Sequence, residues 1–256
     1  MTTVLKLGGS VITDKDREET LDGAALEAAA TAVGSALDGS ARSPGQSTPE
    51  LVIVHGGGSF GHVNASEHGV STTRGSHDIG AVHAIHGAMK TLNRFVLDRL
   101  LEQGVRAVPV HPFSLAARDG DGTLTLPSEP VETLLTEGFV PVLHGDVVAQ
   151  RDAGVTIISG DELVTELTTR LDADHVGLCS TVPGVLDGDG AVVDRIDAYE
   201  DVAAVLGASE STDVTGGMAA KVQALLALEA EASIFGLEAL PAFLEGESPG
   251  TTIARE

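Results

Sequence analysis

The sequence predicts an α/β protein: an open three-layer αβα sandwich around a mostly parallel sheet. Two observations carry this. Short apolar runs bounded by turn residues alternate with longer stretches in which apolar residues recur at helical spacing. The runs are apolar at successive positions rather than at every second one, as expected of strands buried on both faces by helices. A chain of 256 residues can bury a substantial core as one domain, 1–256. A weak composition shift near Arg151 suggests approximate lobes, 1–150 and 151–256.

The elements follow in order. The first strand, Val4–Leu7, stops at Gly8-Gly9, and the first helical pattern covers Leu21–Leu37. The stretch Ser40–Glu50, rich in Ser, Pro and Gly, reads as a surface loop. Strand Leu51–Val54 leads into three consecutive glycines, and a long helical pattern spans Val82–Leu101. Strand Val105–Val110, helix Val131–Thr136 and strand Phe139–Leu143 come next, then strand Val155–Ile158, helix Glu162–Leu171 and strand His175–Cys179. The helical patterns Ala198–Leu206 and Met218–Ala230 complete the series.

Composition excludes several classes. No stretch approaches the roughly 18 apolar residues of a membrane span. The start Met1–Lys6 lacks the basic region, long apolar centre and cleavage site of a signal peptide. A single cysteine, Cys179, excludes an internal disulfide framework and a multi-cysteine metal site. A cytoplasmic enzyme is the expectation. The net charge of −23 makes nucleic acid and anionic membranes poor partners, because phosphate contacts need clustered Lys and Arg. Such acidity with few large aromatics resembles proteins of salt-accumulating microbes, in which salt screens the self-repulsion.

Only four lysines occur: Lys6, Lys15, Lys90 and Lys221. Three of them sit in or beside glycine-rich segments instead of on helix exteriors, a placement that suggests anion binding.

Five segments carry candidate chemistry. In Lys6-Leu-Gly-Gly-Ser10, Gly8 and Gly9 expose N–H groups and Lys6 supplies a positive charge; taken alone, a strand-ending turn explains it as well. Lys15 follows at the end of Val-Ile-Thr-Asp-Lys and by itself reads as a loop lysine. In His55-Gly-Gly-Gly-Ser-Phe-Gly-His62, bare amides at Gly57 and Gly58, the Ser59 hydroxyl and the His62 ring can meet an anion, at a spacing unlike the Walker or dinucleotide patterns. Gly145-Asp146-Val147 is a turn after a strand. In Ser159-Gly-Asp161-Glu, Asp161 can cap the following helix, orient lysines or hold Mg²⁺ through water. In Asp213-Val-Thr-Gly-Gly-Met-Ala-Ala-Lys221, Gly216 and Gly217 open a helix whose N-terminus suits phosphate, and Lys221 lies one turn in. His83 and His86 stand at i and i+3, a spacing that permits a shared metal but reads as a solvated or helix-capping pair; no metal site is expected. His68, His77, His111, His144 and His175 fall into no pattern.

In this order the five segments resemble the motif series of the amino-acid-kinase superfamily, over nearly the whole chain. Ser180-Thr-Val-Pro-Gly-Val-Leu-Asp187 is similar to that family's nucleotide-side loop, with Thr-Val-Pro in place of a commoner Asp-Val-Asp-Gly type. Pro249-Gly-Thr-Thr-Ile253 is similar to its final strand. Gly-Ser-Phe-Gly-His62 with Gly-Ser-Val-Ile-Thr-Asp-Lys15 resembles the archaeal isopentenyl phosphate kinases.

That resemblance implies an ATP- and Mg²⁺-dependent kinase of an isoprenoid route, acting on a small phosphate acceptor, isopentenyl phosphate, and a homodimer, from a haloarchaeon. It implies that His62, Gly57, Ser59 and Gly145 serve the acceptor, while Gly8, Gly9, Ser10, Gly58 and Gly217 contact the nucleotide. Lys6 and Lys15 hold the transferring group, Lys221 the nucleotide phosphates, and Asp161 aligns the lysines. Kinases of the same fold acting on phosphonates, carboxylates or nucleoside monophosphates are the rivals, with a non-catalytic nucleotide-binding regulator further off. Val82, Ile85 and Met89 at helical spacing offer an apolar pocket for a hydrocarbon tail, or plain core.

Overall fold

The structure, a computed structural model, describes residues 1–38, 49–206 and 217–254. Residues 40–48 of the expected surface loop and 213–216 of the fifth segment lie outside the described residues.

In chain order the strands are β1 (Thr2–Leu7), β2 (Glu50–His55), β3 (Ala107–Pro109), β4 (Ala117–Arg118), β5 (Leu124–Thr125) and β6 (Val140–His144). They continue as β7 (Asp146–Gln150), β8 (Gly154–Ile158), β9 (His175–Ser180), β10 (Arg195–Ile196), β11 (Glu231–Gly236) and β12 (Thr251–Ile253). The helices are α1 (Gly9–Ile12), α2 (Gly23–Leu37), α3 (Gly58–Glu67), α4 (Ile79–Glu102) and α5 (Pro112–Leu115), then α6 (Glu129–Thr136), α7 (Gly160–Arg170), α8 (Ala203–Leu206), α9 (Gly217–Leu226) and α10 (Leu240–Leu244). The main sheet has the order β10-β12-β11-β9-β1-β2-β6-β3, parallel except where β11 meets β12. A second sheet, β5-β4-β7-β8, stands beside it.

Side-chain parity splits the core between two faces, since neighbouring residues on a strand point opposite ways. Val4, Val52, Val54, Val176, Leu178 and Ile234 pack with α6, α7 and α9. Leu5, Leu7, Leu51, Ile53, Cys179 and Phe235 pack with α2, α4 and α10 on the opposite face. Successive apolar residues thus serve two different helix layers, which is the three-layer arrangement expected. Lys6 shares the parity of Val4, so it emerges on the face covered by α7. No helix among the described residues is long and apolar enough to cross a membrane.

Several elements differ from expectation. Val155–Ile158 does form a strand, but it is the outer arm of an antiparallel β7–β8 hairpin in the second sheet. The pattern Ala198–Leu206 resolves into a 3-10 turn at Tyr199–Asp201 and the four-residue α8. Helix α9 ends at Leu226, and the next residues prepare β11, whose run Glu231–Gly236 lacks a sequence expectation of its own. Helix α3 is also new. Glycine disfavours helix intrinsically, yet here Phe60 is buried and Gly61 lies so close to Met89 that an added Cβ would sit 2.8 Å from its sulfur. Tertiary packing overrides propensity.

The geometry that matters for the site follows from parallelism. Strands β1, β2, β6 and β9 run the same way in register, so their exits gather along one edge. In open α/β sheets that carboxyl edge is where ligands bind.

Candidate active site

At this edge the two glycine loops press backbone to backbone. A Cβ on Gly9 would lie 2.1 Å from Gly58 N, and one on Gly56 would lie 2.6 Å from Gly9 N. Gly58 is in the left-handed region at φ +48°, where a Cβ would also strike Thr13 Oγ1 at 2.1 Å. Thr13 bridges the loops: its hydroxyl donates to Gly9 O (2.8 Å) and accepts from Ser59 N–H (3.0 Å). Contact between the loops therefore demands glycine at these positions before any ligand is considered.

The paired loops open onto a cavity of about 240 Å³. Lys6, Gly8, Gly9 and Ser10 line it from the first segment, and Gly57, Gly58 and His62 from the second. Gly145 and Asp146 contribute from the β6–β7 junction, Gly160 and Asp161 from the start of α7, and Lys221 from α9. Five distant segments thus meet at one cavity. The N–H groups in the first turn of α3 and of α7 lack intrahelical partners, so both helices present donors and partial positive charge there.

Asp161 organises the cations. Lys6 Nζ donates to Asp161 Oδ1 at 2.5 Å, and Lys221 Nζ lies 3.8 Å from Asp161 Oδ2. One carboxylate therefore fixes two lysines from opposite ends of the chain. Lys6 is buried, so removing its partner would leave an uncompensated charge, a loss of about 3–5 kcal/mol in such settings. Asp161 does not cap α7: Ser159 is the N-cap, its Oγ accepting from Glu162 N–H at 3.1 Å. Asp161, at the second helical position, is left to face the lysines.

Three expected site residues stand off the cavity wall. Ser59 is buried, and its hydroxyl donates to Thr20 O (3.2 Å) and accepts from Thr20 N–H (3.3 Å). It pins the loop that carries Lys15. Lys15 is exposed on that loop, which is closed by Asp14 N–H donating to Thr20 O and by a bridge between Thr13 and Leu21. Gly217 opens α9 at φ +64°, a conformation that favours glycine, and is buried behind the wall to which Lys221 belongs. His62 is exposed at the cavity mouth on α3.

The far end of the cavity is apolar. Ile85 and Met89 of α4 line it, joined by Val70 and Ile157; Val82 packs against the same cluster as Ile85 and Val70 but does not line the cavity. Ser180 and Thr181 add the start of the expected nucleotide-side loop.

A group of histidines missed in the sequence stands behind this wall. His86 Nδ1 lies 2.8 Å from Asp146 Oδ2, while His83 is exposed, so the i, i+3 pair does not converge on a metal. His144 Nδ1–H donates to Gly145 O (3.0 Å) and His144 Nε2 pairs with His111 Nδ1 (2.9 Å). The His55 ring stacks on His144 at 5.4 Å and reaches Asn93 on α4. Burial pushes the pKa of His55 down to about 4 and that of His144 well below its ordinary value. The signal available in the sequence was Gly145-Asp146 and His86, but they are 60 residues apart and nothing in spacing pairs them. Elsewhere, burial raises the Cys179 thiol to about 12, which makes it an inert core residue, and His175 stacks on Phe243 at 4.2 Å.

A model of the amino acid kinase family matches residues 1–234. The chain belongs to the amino acid kinase family. Among curated members, the isopentenyl phosphate kinase of Haloferax volcanii is 60% identical over 253 residues, 99% of this chain and 98% of that protein. The isopentenyl phosphate kinase of Methanothermobacter thermautotrophicus is 36% identical, covering 88% of this chain and 86% of its own. An X-ray structure of an isopentenyl phosphate kinase superposes with a TM-score of 0.81 at 31% identity, over 99% of this chain and 100% of the other. The amino acid kinase fold therefore accounts for the layered core.

Proposed function

We infer that this protein is a kinase that transfers the γ-phosphoryl group of ATP to isopentenyl phosphate, giving isopentenyl diphosphate and ADP. One observation carries the reading: Lys6, Lys221 and His62 face one cavity, with Asp161 fixing the two lysines. The 60% identity to the Haloferax volcanii enzyme supports the choice of acceptor.

A phosphate monoester, with a second pKa near 6, is already a dianion at neutral pH. It needs no general base to become a nucleophile. An acceptor phosphate oxygen forms the new bond to the γ-phosphorus, the bond to the β–γ bridging oxygen breaks, and ADP leaves with the electron pair. The obstacle is repulsion: like unit charges 4 Å apart cost roughly 4 kcal/mol at an effective dielectric of 20. Catalysis is then positioning plus charge stabilisation. In this reading His62, Gly57 and Gly145 hold the acceptor phosphate, and Lys6 meets the transferring group. Gly8, Gly9, Ser10, Gly58 and Lys221 meet the nucleotide. Lys15, on the loop pinned by Ser59, is the outer member of the lysine set. The acceptor's tail lies against Ile85, Met89, Val70 and Ile157.

Among the described residues no cluster of three or more His, Cys, Asp or Glu could cage a metal. Asp161 is engaged by lysines. In this reading magnesium enters as part of the MgATP substrate, as suits an ion that keeps waters and phosphate oxygens around it. In this reading residues 1–150 form the acceptor-binding lobe, whose glycine loops also reach the nucleotide, and residues 151–256 form the nucleotide-binding lobe that carries Lys221. A cytoplasmic, salt-adapted homodimer completes the proposal; exposed Phe95 and Leu101 on α4 are apolar positions that a second copy would cover.

The test is ATP consumption in molar salt with Mg²⁺, using isopentenyl phosphate, fosfomycin, glutamate and UMP in parallel. Turnover of isopentenyl phosphate is expected; activity on glutamate or UMP alone would reject the assignment. His62→Ala should cripple turnover and acceptor affinity while sparing ATP binding, and Lys221→Ala should weaken ATP instead.

A further inference from the structure

A buried carboxylate stands behind the part of the wall proposed to meet the acceptor phosphate. Asp146 follows Gly145 in the cavity wall, and its side chain is fully buried. Its Oδ1 accepts from its neighbour's amide, Val147 N–H, at 2.8 Å, and its Oδ2 faces His86 Nδ1 at 2.8 Å. His86 lies on α4 beside Ile85, which lines the same cavity. The pair therefore joins the β6–β7 junction to the helix that forms the apolar wall.

Charge makes this arrangement consequential. A carboxylate with a neutral imidazole carries a full negative charge beside an incoming dianion. With one further proton the same pair is neutral. We propose that the His86–Asp146 pair takes up that proton as the acceptor binds, so that the pair is a proton-holding positioning element of the acceptor subsite. This rests on the reading of the cavity as a phosphate-acceptor kinase site.

The surrounding groups leave this role to His86. His144 on β6 lies 3.7 Å from Asp146 Oδ2, but it is buried and neutral. Its single proton goes to Gly145 O, and its Nε2 then accepts from His111 Nδ1–H. His111, on the segment before α5, stands edge-on to His86 at 5.9 Å between ring centres. His55 on β2 stacks behind His144, and Lys90 on α4 repels a proton on His111. His62 on α3 faces the same cavity from its mouth. Burial raises the Asp146 carboxyl above the ordinary range, against the opposing pull of His86, the Val147 amide and His111. The interior thus resists an uncompensated charge at that position.

Two substitutions push acceptor affinity in opposite directions, which loss of structure would not do. Asp146→Asn removes the negative charge. His86→Gln can keep a hydrogen bond but leaves the carboxylate unneutralised. The experiment measures kcat and both KM values with ATP and isopentenyl phosphate from pH 7 to 9, above the acceptor's own titration. In the wild type the acceptor KM should rise with pH. In D146N it should stay low and rise less steeply. In H86Q it should be raised roughly tenfold at pH 7, with little further change, while the ATP KM holds in both variants. If both variants raise the acceptor KM and keep the wild-type slope, the pair is merely structural and the proposal falls. If the wild type turns over no isopentenyl phosphate at any pH, the functional reading fails first, and this inference with it.

Discussion

Gly145 shows how a single residue separates structural from functional demand. At Gly9, Gly56 and Gly58 an added Cβ would collide with protein backbone, so the fold itself requires glycine. At Gly145 a Cβ would meet Gly160 N and Ile158 O at 3.4 Å, an ordinary contact. The protein tolerates a methyl there; an acceptor in the cavity would not. Gly145→Ala should leave the melting temperature within about 2 °C of wild type, in line with a stability change under ~0.5 kcal/mol. It should raise the acceptor KM at least several-fold with little effect on ATP. A large drop in melting temperature with unchanged kinetics would contradict this. In the sequence, all these glycines looked alike as bare-amide positions. Which of them met a neighbouring loop and which met open space depended on other segments of the chain, and no local pattern reports that. Lys15, which by itself reads as a loop lysine, is exposed on the loop that Ser59 and Thr20 close.

The elements that carry the site were legible wherever burial was two-sided. Strands β1, β2, β6 and β9 were visible as mostly apolar runs because each supports two helix layers. Strands β4, β5 and β10 span two residues each, too few to produce a pattern. Helix α3 was hidden by its own glycines, and the β7–β8 hairpin by an apolar run that reads equally as a parallel strand. The interlock of α1 with α3 deserves a direct test at the element scale. Gly58→Ala would need a left-handed backbone at an L-residue and would drive a methyl into Thr13 Oγ1. The two loops would then part. The expected cost exceeds about 1–2 kcal/mol, visible in chemical denaturation, and both substrate KM values should rise because both loops line the cavity. A variant that loses affinity for one substrate only would show that the loops move independently.

At the scale of the whole molecule, charge and protonation set the working range. His55 is neutral in the fold, its pKa at about 4 against 6.5 in an unfolded chain. The unfolded state therefore binds more protons between those values, and stability falls as pH drops from 6.5 towards 4. For His55 alone the full loss is about 3 kcal/mol, and the buried His144 shifts in the same direction. Denaturation at pH 7 and pH 4.5 should show it, and His55→Gln should flatten the dependence; an unchanged slope would remove His55 from the account. The net charge of −23 acts at longer range. Salt at molar concentration shortens the screening length to about 3 Å, so the melting temperature should climb steeply from dilute buffer to molar KCl. A protein that is fully folded and active without salt would refute the salt-adapted reading.

The place of β1 has a consequence for how the chain reaches this state. Thr3 lies in register with Leu51 on one side and with His175 on the other. Strand β1 is thus a keystone that is locked only once β9, far along the chain, has been made. Neither half owns a complete sheet, and assembly must wait for a partner far along the chain, a topology associated with slow folding. A nick between the halves would release two unstable fragments, and complementation should succeed only when both are present together.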